Sequence, residues 1–215
     1  MTELYRLQSG QLVSDVDSEV IDSAVFGVRS SAEAWRAEGV LFAMKKKNSV
    51  YRDADGFNVS GGRSRHWGLE IDWMFAIHPD WELTVQAAFA RHTYNFDVIA
   101  LRGEAFISGR DVDTAPRWQG GAEIGYVGSE RFEASLQWVS LGSYYLDAQN
   151  QFTYPGHDIA NARASVELSD RWSFTARLNN VLDEDYADRA DYAFGNYRYF
   201  PGRGRELYLQ LSYAE

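Results

Sequence analysis

The chain has no cysteine and only 4 prolines in 215 residues. Without thiols there is no disulfide framework, no thiolate metal site and no cysteine nucleophile, and their absence suits an oxidising compartment where a stray thiol is a liability. No apolar run of roughly 18 residues or more exists, so a transmembrane helix is excluded and any passage through a bilayer falls to β-strands. Positive charge is scarce as well: 21 Lys and Arg stand against 31 Asp and Glu, a net charge of -10. That balance offers no basic stripe to neutralise phosphates and argues against nucleic acid as a partner. The start, Met1-Thr2-Glu3-Leu4-Tyr5-Arg6, has no basic region followed by an apolar stretch, so no signal peptide is visible. What the chain does hold is aromatic surface. Phe, Trp and Tyr make up 15%, with 7 Trp and 13 Tyr, side chains suited to an interface where one end is apolar and the other wet.

Helical periodicity is almost absent, and period-two alternation recurs. Trp81, Leu83, Val85, Ala87 and Phe89 share one face, opposed by Glu82, Thr84, Gln86 and Ala88. Leu69, Ile71, Trp73, Phe75 and Ile77 oppose Glu70 and Asp72, and Trp172, Phe174, Ala176 and Leu178 oppose Ser173, Thr175, Arg177 and Asn179. Each such segment has one apolar side and one polar or charged side. The pattern predicts strands near 20–31, 36–51, 60–77, 81–97, 116–128, 131–143, 157–168, 171–182 and 203–214.

Connections alternate in length. Short turns at Ser31–Trp35, His78–Asp80, Gly128–Glu130 and Ser169–Arg171 are each followed or closed by a bulky aromatic, Trp35, Trp81, Phe132 or Trp172. Longer loops near 52–59, 98–115, 144–156 and 183–202 carry Gly, Asp, Asn, Arg and Tyr. Short turns on one rim, long loops on the other and an aromatic ring at the short-turn rim predict the wall of an outer-membrane barrel, short turns periplasmic. A soluble antiparallel sandwich or lipocalin-like barrel also alternates. Charges on the polar face of nearly every strand, predicted strands about two to three times the 5–6 residues common in soluble sheets, and aromatics at strand ends on one rim favour lipid.

The chain end carries a more specific pattern. Asn180-Val181-Leu182-Asp183, Tyr186, then Tyr199, Pro201-Gly202-Arg203 and the alternating tail Leu207-Tyr208-Leu209-Gln210-Leu211-Ser212-Tyr213 resemble the C-terminus of TonB-dependent outer-membrane receptors. Upstream, Thr2–Gln8, Glu19–Ser23 leading to Gly27-Val28-Arg29, and Asn58-Val59-Ser60 leading to Gly68-Leu69-Glu70 look like successive landmarks of that family, so the resemblance spans essentially the whole chain. The fold it implies is all-β: an antiparallel up-and-down transmembrane segment of about nine strands, the C-terminal part of a barrel that family members close with about 22. Residues 1–19 are then an extracellular lead-in and 20–215 a partial barrel, with the plug domain absent. Nine strands is an odd number, and closing them alone would set first and last parallel.

The resemblance implies a transport receptor in the bacterial outer membrane, not an enzyme, taking up a scarce ligand, most often a ferric siderophore, with energy delivered by a TonB-type protein through the missing plug. The partners it implies are membrane lipid, the barrel-assembly machinery and a small-molecule metal chelate. No cofactor is expected. Glu70, Asp72, Gln137, Arg163, Glu167 and Arg177 would face the lumen and the plug, or stand there simply as solvated wall residues. Tyr144, Tyr145, His157, Tyr192, Tyr197 and Arg198 fall in or beside the last two long loops, where aromatic and cationic groups suit anionic chelates but equally suit loop packing and an upper aromatic girdle. Arg102 and Arg110 could attract an anion. Arg203, Gly204, Leu207, Leu209, Leu211 and Tyr213 look like the signal by which assembly machinery grips a last strand, with the departure that Ala214-Glu215 follow the aromatic.

Other chemistry finds little support. His66, His78, His92 and His157 show no i,i+2 or i,i+4 spacing, so no metal site is expected. Asp53-Ala54-Asp55-Gly56 begins like a calcium loop but lacks its distal bidentate Glu. No nucleophile elbow surrounds any Ser. A self-standing small porin and a soluble binding domain remain as alternative readings.

Overall fold

The computed structural model describes residues 17–52, 58–97 and 106–214. Among these described residues there are thirteen strands: β1 (Val20–Ala32), β2 (Trp35–Arg52), β3 (Asn58–His78), β4 (Trp81–Tyr94), β5 (Trp118–Tyr126), β6 (Phe132–Leu141), β7 (Tyr144–Tyr145), β8 (Thr153–Tyr154), β9 (His157–Ser169), β10 (Trp172–Asn179), β11 (Ala187–Ala193), β12 (Asn196–Pro201) and β13 (Glu206–Tyr213). Nine of them form one antiparallel sheet in the order β1-β2-β3-β4-β5-β6-β9-β10-β13. These are the nine strands the alternation predicts, shorter by a few residues at several ends. The last one starts at Glu206 instead of 203 because Arg203 and Arg205 are held in the preceding loop, Arg203 by its carbonyl and Arg205 by its amide.

Register turns the local alternation into two continuous faces. Phe26, Leu41, Leu69, Phe89 and Trp118 are successive cross-strand partners from β1 to β5 and form one row. On the other half of the sheet, Leu136, Ala162, Leu178 and Leu207 do the same. Among the described residues no second layer covers this face: Leu207, Leu209 and Leu211 are 62, 63 and 60% exposed, and Phe26 and Leu41 are comparably bare. A sandwich would bury such a face against a partner sheet. A lipid-facing wall leaves it exposed, because its apolar partner is the bilayer.

The aromatics following the short turns make contacts along that rim. Trp81 packs against Tyr126 with ring centroids 5.2 Å apart, Tyr126 against Phe132 at 5.9 Å, and Trp172 against Tyr213 at 5.0 Å. Neighbouring backbone is tied across these turns by Val127 donating to the Asp80 carbonyl at 2.8 Å and Ala214 to that of Arg171 at 2.9 Å. Strands β1 and β13 are the two edges of the sheet. With nine alternating strands they run in the same direction, so they do not form an antiparallel pair with each other.

The buried residues lie elsewhere. Tyr144, Leu146, Tyr154, Ala187 and Ala190 form a small core, with Leu141, Phe152 and Tyr192 packed on it. It sits at the long-loop rim, where the alternation predicts only irregular loops at 144–156 and 183–202. Those loops instead carry two hairpins, β7–β8 and β11–β12. The physical reason is a shared core: neither segment has a strand-length alternating face, yet together they bury each other's apolar residues. Gly156 makes the fit possible, because its φ of +89° favours glycine and an added Cβ would run into the Leu141 carbonyl.

Candidate functional site

The polar face of the sheet is concave and encloses an open cleft of about 840 Å³, lined in part by Glu38, Glu70, Asp72, Gln86, Glu123 and Gln137. A smaller recess of about 260 Å³ continues it past Asn161, Arg163, Arg177 and Asn179. The alternation places these side chains here, since each lies one residue from a lipid-facing neighbour. Gln86 donates to Asp72 at 2.9 Å, Asn161 to Gln137 at 3.1 Å, and the Ser165 and Thr175 hydroxyls meet at 2.9 Å. Around these two recesses carboxylates come from β2, β3 and β5 (Glu38, Glu70, Asp72 and Glu123) and guanidinium groups from β9 and β10 (Arg163 and Arg177). Glu167 shares the β9 parity of Arg163 and falls on the same face. All six residues expected to face inward therefore share the concave side.

Three loops meet above this wall. Thr114 donates its amide to the Tyr145 carbonyl at 2.8 Å, Asp111 to the Asn150 side chain at 2.8 Å, and Tyr192 to the Leu146 carbonyl at 2.9 Å. Two tyrosine hydroxyls act as internal struts: the Ala190 amide donates to Tyr144 at 2.9 Å and the Ala187 amide to Tyr154 at 3.0 Å. Burial pushes the Tyr144 phenol up, partly offset by the Ala190 hydrogen bond, so the group stays a neutral hydroxyl. Phe152 stacks on Tyr192 at 3.9 Å, and Tyr197 meets both edge-on.

Buried carboxylates lock these loops, and the sequence offers no spacing that marks them. Asp191, only 5% exposed at its side chain, is held by Arg198 at 2.5 Å and Arg189 at 3.1 Å. Asp111 is clamped by Arg91 at 3.1 Å and by Arg117. Asp147 accepts the amides of Gln149, Gln151 and Phe152 at 3.1, 2.9 and 2.9 Å and so shapes the turn between β7 and β8. Charge-assisted bonds to a buried acceptor contribute about 1.5–3 kcal/mol each. Asp191→Asn is therefore expected to speed amide exchange in β11 and β12 at least about tenfold while β9 and β10 hold their protection. Equal protection in both hairpin strands would show that the carboxylate is not what orders them.

Of the six residues singled out as ligand contacts, the structure gathers Tyr144, Tyr145, His157, Tyr192, Tyr197 and Arg198 around this one loop cluster, in different environments. Tyr144 is inside the core, and Arg198 is bonded to Asp191. His157 shares a hydrogen bond of 2.9 Å with Tyr154 and packs on Tyr186. Tyr197 is 51% exposed and stacks with Tyr199, itself 53% exposed, at 6.2 Å. Arg110 is exposed at the rim, whereas Arg102 and Asp53–Gly56 lie outside the described residues. The histidine spacing also missed a contact. His66 and His92 are cross-strand partners whose Nδ1 atoms lie 2.8 Å apart, a pairing that spacing along one strand cannot reveal. No group of three or more His, Asp or Glu that could hold a metal ion is found among the described residues.

The terminal motif has a mechanical meaning. Asn180 takes a left-handed φ of 48° and is buried. Its side chain accepts from the Glu184 amide at 2.9 Å and donates to the carbonyls of Glu184 and Arg203 at 2.9 and 3.2 Å. Gly202 lies flat on the Tyr186 ring, where a Cβ would collide, and donates its amide to the Tyr186 carbonyl at 2.9 Å. The two halves of the motif thus close the loop that launches β13. Leu207, Leu209, Leu211 and Tyr213 point to the lipid side of β13, and Arg203 pairs with Glu206 at 3.6 Å just ahead of it.

A one-layer wall, short and long rims and this loop closure coincide with a sequence match to the family "TonB dependent receptor-like, beta-barrel" over residues 2–181. The chain belongs to the TonB-dependent receptor β-barrel family. Solved TonB-dependent receptors share the fold at low identity. The ferric yersiniabactin uptake receptor FyuA from Yersinia pestis superposes with a TM-score of 0.77 at 15% identity, covering 91% of this chain and 30% of that one. The ferric citrate transporter FecA gives 0.75 at 20%, covering 90% and 31%, and the copper transporter OprC gives 0.73 at 15%, covering 93% and 31%. No curated protein sequence matches the chain. The chain spans under a third of the length of these solved receptors and corresponds to part of their barrel. Members of the TonB-dependent receptor family are transport receptors of the Gram-negative outer membrane, not enzymes.

Proposed function

We propose that this chain forms one side of the wall and outer rim of a receptor that takes up a metal chelate, a ferric siderophore, with energy supplied through a plug by a TonB-type partner. The observation that carries the reading is the pairing of a hydrated, charged concave face with an ordered rim that exposes Tyr197 and Tyr199 beside Arg198. Aromatic faces and cationic groups bind anionic, catechol-bearing chelates by stacking and charge. The concave face, with carboxylates on β2, β3 and β5 and guanidinium groups on β9 and β10, gives a plug polar partners and leaves a route that water can fill. FyuA and FecA take up ferric chelates and OprC transports copper, which fits a metal-bearing ligand class.

The reading is tested by uptake in cells carrying the receptor that contains this chain, grown with a single ferric chelate as the iron source. Tyr197→Ala with Tyr199→Ala is expected to lower uptake of the matching chelate about tenfold or more, two stacking contacts contributing about 0.5–1.5 kcal/mol each. Unchanged uptake of every ferric chelate offered, with loss of uptake of a metal-free ligand, would overturn it.

A further inference from the structure

One row of the concave face carries metal-binding chemistry that neither the wall nor the rim uses. Met44 on β2, His66 on β3 and His92 on β4 are successive cross-strand partners. Their parity is that of Glu38, Glu70 and Gln86, so all three belong to the inward side, beyond the cleft toward the long-loop rim. Each is half-buried. Directly opposed residues on neighbouring strands have Cβ atoms about 5 Å apart, so a thioether and two imidazoles from three strands can reach one point.

The two rings are already set to share a ligand. His66 and His92 bring their Nδ1 atoms to 2.8 Å, with ring centroids 5.0 Å apart. One proton lies between two nitrogen lone pairs there, one ring donating and the other accepting. His66 Nε2 lies 2.8 Å from the Ser64 hydroxyl. As donor to that oxygen it fixes the tautomer that leaves Nδ1 with a lone pair, the outer-shell arrangement of a metal-bound imidazole. The neighbouring loop holds the backbone of His92, the Val112 amide donating to its carbonyl at 2.9 Å. A metal about 2.0–2.1 Å from each nitrogen takes the proton's place once the two atoms separate to about 3.3 Å, a change that ring rotation supplies.

The surroundings and the donor set select the ion. The row on the cleft side is Phe42, Gly68 and Ala90. The Phe42 ring lies on Gly68, where a Cβ would come within 2.6 Å of it, and this apolar floor keeps water from competing on that side. In the row on the rim side, the Lys46 charge is offset by Glu19 at 3.0 Å. Among the described residues no third His, Asp or Glu is grouped with the pair, so the site has no anionic ligand to favour a hard or trivalent ion. Two neutral imidazoles with a soft, uncharged thioether favour copper(I).

We propose that Met44, His66 and His92 bind copper(I) on the lumen wall just below the outer rim, through Sδ of Met44 and Nδ1 of both histidines. The site belongs to the wall and does not depend on which chelate is taken up, so failure of the uptake test leaves it standing.

The test titrates the receptor that contains this chain, purified in detergent, with copper(I) under anaerobic conditions against a chromogenic copper(I) chelator. His66→Gln and His92→Gln are each expected to weaken binding about 100-fold or more, beyond the roughly 10–100-fold that loss of an outer-shell partner causes. Met44→Leu, which conserves volume, should weaken copper(I) binding at least about tenfold and leave zinc(II) affinity unchanged, and X-ray absorption of bound copper should lose one sulfur neighbour. His78→Gln, at the short-turn rim, should change nothing. Unchanged copper(I) affinity in either histidine variant or in Met44→Leu, an equal loss in His78→Gln, or tighter binding of zinc(II) than of copper(I) overturns the proposal. Should the histidine variants fail to fold, the wild-type receptor is treated with diethyl pyrocarbonate with and without copper(I). Copper(I) must protect His66 and His92 while His78 stays reactive, and equal modification of all three overturns the proposal.

Discussion

Leu209→Arg is expected to remove the protein from the outer membrane, whereas Gln210→Arg, one residue along, leaves it there. Leu209 is the middle of the last strand's lipid side, paired with Ala176 and flanked by Leu207 and Leu211. An arginine near the bilayer midplane costs about 2–4 kcal/mol, and here it falls on a strand bonded on one side only within the described sheet. Gln210 pairs with Thr175 on the concave face, where a guanidinium stays hydrated among Arg177 and Ser212. The measurement is receptor abundance in outer-membrane fractions together with the heat-dependent gel mobility of folded barrels. Equal abundance of the two variants would show that the faces of β13 have been assigned the wrong way round.

Leu146→Ala should unlock the outer rim without disturbing the wall. Leu146 is completely buried and is the largest such side chain among the described residues. Truncating a buried leucine costs about 2–5 kcal/mol, depending on how far the surroundings collapse. The core it fills is assembled from two loops that contribute Tyr144 and Tyr154 on one side and Ala187 and Ala190 on the other. Amide protection should therefore fall in β7–β8 and β11–β12 together, and protease should reach both loops in intact cells, while exchange in β9 and β10 stays slow. Loss confined to the loop carrying the substitution would mean that the two loops do not share one core. Uptake should fall in parallel, because Tyr197 and Tyr199 are presented by β12.

How much of this was legible beforehand differs sharply between wall and rim. In the wall, Leu69 and Glu70, or Trp172 and Ser173, announce their faces by parity alone, and cross-strand pairing preserves that parity from β1 to β13. The family resemblance rested partly on residues whose neighbours are close in sequence, since Asn180 bonds Glu184 four residues on, although its bond to the Arg203 carbonyl spans 23. At the rim the decisive contacts join residues far apart. The Ala190 amide reaches Tyr144 across 46 residues and the Ala187 amide reaches Tyr154 across 33. Asp111, Asp147 and Asp191 read as ordinary loop acids, and only the fold encloses them and brings arginines to the first and last and backbone amides to the second. His66 and His92 are separated by a full hairpin, so their contact follows from register and not from spacing.

The sequence by itself therefore determined the class of fold, the number of long strands, which side of each meets lipid, and which rim carries the long loops. Period-two alternation is sufficient for this because a strand sends successive side chains to opposite faces whatever its partners are. Tertiary structure alone decided that the last two long loops become one packed module, that Tyr144 is a strut inside it while Tyr197 is displayed on it, and that Met44, His66 and His92 fall in one row across three strands. Those outcomes depend on which distant segments share a core and on the register between strands. Burial and charge pairing are properties of the neighbours a residue acquires, and no local pattern encodes them.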